Sequence, residues 1–197
     1  MEKNNREIFE RVRNEMEDVI EGAGEIRAAL IDVVSRLVAR TCQESLRMGM
    51  SQSEVIRGII RECVRATLEV SGDLELVAQC VAFGILRGTR DIIIPFSETI
   101  KNTASSMVQN TEMLGGDTEA VAKAAVEGII EGAREIGLGL EETVSLAASA
   151  AVKTAYEFNS EIGNKVRSIL SGTFCGIRVI LKENFRSERM SYERRAA

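Results

Sequence analysis

Apolar residues recur along this chain at the spacing of one face of an α-helix, and the pattern returns every 44 residues. One column of equivalent positions holds Val12, Ile56, Ile100 and Val144. The columns that lie four, seven and eight positions further along are apolar as well. Because apolar residues at i, i+4, i+7 and i+8 share one face of a helix, the pattern predicts four amphipathic helices related by an internal repeat.

A second helix in each repeat carries two glycines four residues apart. The pairs are Gly84 and Gly88, Gly128 and Gly132, and Gly172 and Gly176, with 44 residues between equivalent members. A glycine inside a helix costs about 1 kcal/mol relative to alanine, so three pairs in register indicate a repeated benefit. We expect these six glycines to let neighbouring helices pack closely. In the first repeat, Arg40 and Glu44 take the equivalent positions.

The two helix types resemble each other at a shift of about 22 residues, which divides the chain into about eight helical units. Breakers such as Pro95 and Gly115-Gly116-Asp117 mark short joints, and short joints make consecutive helices antiparallel. The predicted fold class is all-α, an antiparallel helical repeat array that forms either a compact bundle or a short solenoid. The repeat domain covers residues 1–186, and residues 187–197 form a polar C-terminal tail.

Two joints carry weak stop signals. Gly22-Ala23-Gly24 separates the first two units, and Asn159-Ser160 separates the last two. A unit of about 22 residues is close to six helical turns, so a helix that runs through a joint keeps its apolar face in phase. We therefore predict that the first two units fuse into one helix over 5–48. Fusion of the last two over 141–186 is left open.

The joint Ile92-Ile93-Ile94-Pro95-Phe96 is unusually apolar for a turn. Exposed apolar residues of this kind often mark an interface. Ile93, Ile94 and Phe96 are therefore candidate interface residues.

An arginine follows the second glycine of each pair by two residues. These arginines are Arg90, Arg134 and Arg178. One interpretation pairs them with a column of glutamates on neighbouring helices, Glu54, Glu98 and Glu142. The alternative is a line of positive charge that binds an anionic ligand. The three arginines are counted with the candidate interface.

Composition narrows the possible function classes. The chain has no histidine, which removes the commonest general base and the usual zinc ligand, so we expect no enzymatic activity, no cofactor and no metal site. A net charge of −5 argues against nucleic acid as a partner. The four cysteines form no Cys-x-x-Cys pair, and no apolar run approaches the ~18 residues that span a bilayer. We expect a soluble, cytoplasmic protein without a transmembrane segment.

These features favour a structural or interaction protein that associates with itself as a homo-oligomer, with a further protein partner as an option. The alternative is a helical module that holds an apolar ligand or lipid between its helices. That alternative predicts unfilled volume along the alanine-rich face of residues 144–155. Peripheral contact with a lipid surface also stays open.

Overall fold

The computed structural model describes residues 2–21, 26–70 and 72–181, which form eight helices and one short hairpin. The helices are α1 (Glu2–Glu21), α2 (Ile26–Arg47), α3 (Gln52–Glu69), α4 (Leu74–Gly88), α5 (Phe96–Leu114), α6 (Thr118–Ile136), α7 (Leu140–Phe158) and α8 (Ser160–Leu170). Strands β1 (Gly172–Phe174) and β2 (Ile177–Val179) pair antiparallel. The prediction of an all-α bundle with antiparallel neighbours is confirmed.

Capping residues keep the joints short. The Asp117 carboxylate accepts a hydrogen bond from the Ala120 N–H at 3.0 Å and so begins α6. Gly115 and Gly137 end α5 and α6 with φ values of 77° and 78°. An N-cap carboxylate satisfies a backbone donor that the first turn leaves free, and glycine adopts the left-handed conformation without strain. The chain therefore reverses within a few residues at these joints.

The helices lie in two layers. The odd-numbered helices α1, α3, α5 and α7 pack side by side in one layer, and α2, α4 and α6 form the other, with α8 against α7 and α6. The even-numbered helices are parallel, because Gly84 and Gly88 of α4 meet α2, and Gly128 and Gly132 of α6 meet α4, in the same order along the chain. Short joints reverse the chain between consecutive helices, so the odd-numbered helices are parallel to one another as well. Each neighbour within a layer is one repeat away. The 44-residue period is therefore a stack of helical hairpins.

The core is aliphatic and rich in small residues. Helix α4 lies in the middle of the even layer between α2 and α6, and ten of its 15 residues are buried. Ile85 and Leu86 of this helix are fully buried. Alanines of α7, among them Ala147 and Ala148, are fully buried as well. Small side chains let helix axes approach closely, so the fold does not depend on large aromatic residues.

The chain after α8 differs from the prediction. Gly172 and Gly176 lie in the β1–β2 hairpin with φ values of 83° and 75°, not on a helix. Cys175 and Gly176 both have positive φ and form the two-residue turn, which is the geometry that suits the twist of a tight hairpin. Among the described residues, a Cβ built on either glycine meets no atom within 4 Å. The prediction that Gly172 and Gly176 pack helices together is therefore wrong.

The last two units do not fuse into one helix. Asn159 separates α7 from α8 with an extended backbone, φ −160° and ψ 165°. Its side-chain oxygen accepts a hydrogen bond from the Ile162 N–H at 2.8 Å. Asparagine is among the preferred N-cap residues, so this residue both stops α7 and starts α8. A helix over 141–186 is also excluded by the hairpin.

Other predictions fall partly outside the described residues. The predicted fusion of the first two units over 5–48 depends on residues 22–25, which lie outside the described residues. The chain beyond residue 181 lies outside them as well, with the predicted domain end at 186 and the tail at 187–197. In the part of the chain that the structure describes, no helix combines the length and the hydropathy needed to cross a membrane.

Candidate functional site

Four of the six repeat glycines lie where one even-numbered helix meets the next. They are Gly84, Gly88, Gly128 and Gly132. A Cβ built on Gly84 lies 2.7 Å from Val34 Cγ1 of α2, and one built on Gly128 lies 2.9 Å from the carbonyl carbon of Gln79 and closer still to its oxygen. Because a real side chain does not fit at these distances, the even layer has a helix spacing that requires glycine at Gly128.

In the first repeat, charged residues replace the glycines that pack the other even-numbered helices together. Arg40 and Glu44 of α2 stand where α4 and α6 have their glycines. Arg40 donates a hydrogen bond to Glu15 at 2.7 Å, and Arg11 donates one to Glu44 at 2.8 Å, so both side chains pair with α1. Terminal units of helical-repeat proteins present a polar outer face. The α1–α2 edge therefore suits contact with solvent, not with a further helix.

A network of polar side chains joins the three helices of the even layer near the starts of α2 and α4. Arg27 of α2 pairs with Glu131 of α6. The same carboxylate accepts a hydrogen bond from Gln79 Nε2 of α4 at 3.2 Å. All three helices of the layer thus meet at one carboxylate.

A second group, centred on Arg87 of α4, makes the same connection one to two turns further along these helices. Its guanidinium donates to Asp32 of α2 at 2.8 Å and to both carboxylate oxygens of Glu135 of α6 at 2.7 and 2.6 Å. It also lies 4.8 Å from the centre of the Phe83 ring. Bidentate pairing and stacking on an aromatic ring are favourable uses of arginine.

We expect the Arg87–Glu135 pair to give a small, pH-dependent stabilisation. The hydrogen bonds from Arg87 lower the pKa of Glu135, so the stabilisation is present above the ordinary glutamate pKa of about 4.3 and is lost as pH falls through the lowered value. Because both side chains are about one third exposed, Glu135→Gln should cost less than about 1 kcal/mol at pH 7.

Urea unfolding at several pH values measures this effect. The difference in unfolding free energy between wild type and Glu135→Gln should shrink as the pH falls below the ordinary glutamate pKa of about 4.3. Glu157→Gln, at an exposed position of α7, is the control and should show little difference at any pH. A Glu135→Gln difference that stays constant from pH 7 to pH 3 would contradict the role of the ion pair.

The predicted pairing between the arginine and glutamate columns does not form within the chain. Arg90 contacts its neighbour Asp91 at 3.5 Å, and Glu98 accepts a hydrogen bond from Ser53. Among the described residues, no ion pair joins one column to the other. Arg178 lies exposed on β2, because the hairpin replaces the predicted helix. Arg90 and Arg134 remain at the surface.

The α4–α5 joint holds Ile93 in solvent between two anchored neighbours. The Ile92 N–H donates to the Thr89 carbonyl at 3.0 Å, and the Ile94 N–H donates to the Ile92 carbonyl at 2.8 Å, which makes a tight turn centred on Ile93. Ile92, Ile94 and Phe96 pack against the core. Ile93 is fully exposed, at 103%. Of the three apolar candidates, Ile93 is therefore the one fully available at the surface.

Ile93 stands where the equivalent joints have glycine. Gly49 and Gly137 occupy the matching positions with φ values of 69° and 78°. The residue that follows is apolar in each joint and packs against the core, as Met50, Ile94 and Leu138. An apolar residue at this point commonly contacts the end of the preceding helix. The repeat thus accounts for Ile94, but it gives no structural reason for an exposed isoleucine at 93.

Two further apolar side chains are exposed on the same side of the molecule. Leu46 and Met48, at the end of α2, are 54% and 38% exposed. Because the even helices are parallel, the joints that follow them lie at one end of the bundle. We name this surface the Ile93 end; it comprises joints 48–51, 89–95 and 137–139 with the adjoining helix turns. The repeat assigns Met48 an apolar position, so the sequence gives no signal of its exposure.

The cysteines offer no activated nucleophile. Burial raises the pKa of Cys42 to about 11, of Cys63 to about 12 and of Cys80 to about 11. Cys175 is exposed in the hairpin turn, where partial burial and the nearby Glu127 carboxylate raise the pKa of its thiol. Since the thiolate is the reactive form, a raised pKa works against reactivity at neutral pH.

The Ile93 end is the candidate functional site, because it combines an unexplained exposed apolar residue with exposed charges. Across the described ranges of the chain, no group of three or more histidine, cysteine, aspartate or glutamate side chains is placed to hold a metal ion. No protein-family model matches the chain, and no curated protein matches it either.

Proposed function

We propose that this protein is a non-enzymatic, cytoplasmic structural or interaction protein that associates with copies of itself through the Ile93 end. The observation that carries the proposal is Ile93, held in solvent by a turn whose two flanking isoleucines are anchored in the core. A protein partner of a different sequence is compatible with the same surface.

The proposal rests on the free energy of apolar exposure. Burying an isoleucine side chain is worth roughly 1.5–3 kcal/mol relative to leaving it in water, and folding gains none of this at Ile93. A contact that covers Ile93 together with Leu46 and Met48 recovers it on association. Protein interfaces have an apolar core with a polar rim, and the exposed Arg90 and Asp91 lie three and two residues before Ile93.

The sides of the stack favour a closed assembly over an extended one. Paired charges cover the α1–α2 edge, and at the other edge the hairpin packs against α7, where the Ile180 N–H donates to Ser145 Oγ at 3.0 Å. A repeat array that exposes its apolar edges can add units without limit. Here charged pairs lie at the described part of one edge and the hairpin covers part of the other, which supports association through an end and a small, fixed number of subunits.

Native mass spectrometry of the untagged protein over a range of concentrations tests the proposal. We expect a mass that is an integer multiple of the chain mass. The fraction of chains in this oligomer should increase with protein concentration. A monomer at every concentration would overturn the proposed self-association. Extra mass that is lost on denaturation would instead support a helical module that carries an apolar ligand or lipid.

A further inference from the structure

The Ile93 end carries two parallel rows of opposite charge. The even helices end there, and their row of arginines is Arg47, Arg90 and Arg134. The odd helices begin there, and their row of first-turn glutamates is Glu54, Glu98 and Glu142. All six side chains are exposed. The even-helix row also contains two exposed acids, Asp91 beside Arg90 and Glu135 paired with Arg87, so this row is positive but less strongly charged than three arginines alone. Each sign is also the one that the helix dipole favours at its terminus, so the layered fold itself produces the two rows.

Two copies can face each other through this surface around a two-fold axis that lies in the plane of the surface. Only one direction of that axis brings opposite charges together. An axis parallel to the rows places the arginine row of one copy over the glutamate row of the second. The joints cross from one layer to the other, so they lie along this axis. An axis across the rows places glutamates over glutamates and arginines over arginines, and like charges that face each other oppose association. Closed dimers require a self-complementary patch, and the charges select the first axis.

We propose that two copies associate through their Ile93 ends around a two-fold axis parallel to the rows. Arg90 of one copy then faces Glu54 and Glu98 of the second copy, and the two Ile93 side chains meet near the axis. The arginine and glutamate columns thus pair between chains, although they do not pair within one. This inference rests on the proposed self-association and adds its surface, its symmetry and its contacts.

The mixture of charges favours a second copy over other occupants. An anionic lipid surface attracts clusters of lysine and arginine, and the glutamate row opposes such binding. A protein of one charge sign is attracted by one row and repelled by the other. A partner that neutralises both rows needs two rows of its own at the same spacing, and a second copy of this chain provides them.

Two charge-reversal variants of the full chain, Arg90→Glu and Glu98→Arg, test the pairing. In either variant alone, like charges face each other across the axis, so sedimentation velocity should find a dissociation constant at least about tenfold higher than for wild type. An equimolar mixture places the new glutamate opposite the new arginine. We expect heterodimers that bind more tightly than either variant binds itself, but less tightly than wild type because the new glutamate also faces Glu54. A native mass spectrum identifies the heterodimers by their mass.

The matched control is Glu75→Arg. Glu75 is an exposed first-turn glutamate of α4 at the opposite end of the bundle, so its reversal has the same cost at a helix terminus and should leave self-association unchanged. Circular dichroism melting establishes that each variant is folded. Ile93→Asp changes a fully exposed side chain and tests the same interface if Glu98→Arg does not fold, with Met113→Asp at the opposite end as its control.

The outcomes separate this inference from the proposed function. If wild type self-associates, and both Arg90→Glu and Ile93→Asp do so with the same affinity, the interface is overturned while self-association stands. If the complementary mixture forms no heterodimers, the pairing of the rows is overturned. A wild type that is monomeric at every concentration overturns the proposed function and this inference together.

Discussion

Replacing Gly128 with alanine is expected to lower the free energy of unfolding by about 2 kcal/mol or more, although alanine is the better helix former by about 1 kcal/mol. The added Cβ lies 2.9 Å from the Gln79 carbonyl carbon, closer still to the carbonyl oxygen, and 3.0 Å from Ala82 Cβ. The closest atoms belong to the backbone of α4 and do not move by a rotamer change. Helices α4 and α6 must therefore separate, and the packing between them loosens.

Chemical denaturation of Gly128→Ala and Gly132→Ala measures this effect with a matched pair. Gly132 lies one turn further along the same helix, where a Cβ meets Leu86 Cβ at 3.0 Å and the Phe83 carbonyl oxygen at 3.3 Å. Small shifts relieve these contacts, so Gly132→Ala should destabilise the protein less than Gly128→Ala does. The two losses in unfolding free energy should differ by at least about 1 kcal/mol. If Gly128→Ala stabilises the protein by the amount that helix propensity alone predicts, the close approach of α4 and α6 is refuted.

The repeat register explains why most of the fold is predictable from the sequence. Apolar columns 44 residues apart identify the helices α3, α4, α5, α6 and α7, and residues such as Gly115, Asp117 and Gly137 mark their ends. The same register explains the error at the C-terminus. Gly172 and Gly176 continue the glycine columns, yet Thr173, Phe174, Ile177 and Val179 favour a strand. A two-residue turn ending in glycine adds a local hairpin signal, and local preference prevails over the period there.

The 44-residue repeat does not predict which charged residues form ion pairs. A shift of 44 residues places Arg90 and Arg134 in one column and Glu98 in another, but it leaves unknown how far one helix is displaced along its neighbour. In the structure Arg87 reaches Glu135 and Asp32, contacts that follow from the offset between adjacent helices. Sequence therefore predicts which charges share a surface, whereas the choice of partner depends on the packing of whole helices.

At Ile93 the sequence identifies the right joint, but it does not show which residue of that joint is exposed. The apolar joint after α4 marks a candidate interface from the sequence alone. Which of its residues lies in solvent depends on the hydrogen bond from the Ile94 N–H to the Ile92 carbonyl. That bond fixes the turn, so Ile92 and Ile94 point to the core and Ile93 does not. Composition and spacing do not determine such a turn.

A large loss of stability is also expected for Leu86→Ala, at about 2–5 kcal/mol. Leu86 is fully buried on α4, the helix that lies between α2 and α6 and also contacts α3 and α5. Its side chain lies beside Gly132 of α6, where a built Cβ is 3.4 Å from Leu86 Cδ2. Removing it leaves a void between two closely packed helices whose backbones already touch elsewhere, so the neighbours cannot collapse to fill the space.

Equivalent positions in the repeat supply the comparison for Leu86. Cys42 and Ile130 occupy the same column and are also buried. Cys42→Ala removes one sulfur atom and leaves a smaller void, so its cost should fall well below that of Leu86→Ala, whereas Ile130→Ala should again cost about 2–5 kcal/mol. Met113→Ala, at a position that is 68% exposed, should stay within about 0.5 kcal/mol of wild type. Equal losses at Cys42 and Leu86 in urea unfolding would mean that α4 is not the packed centre of the even layer.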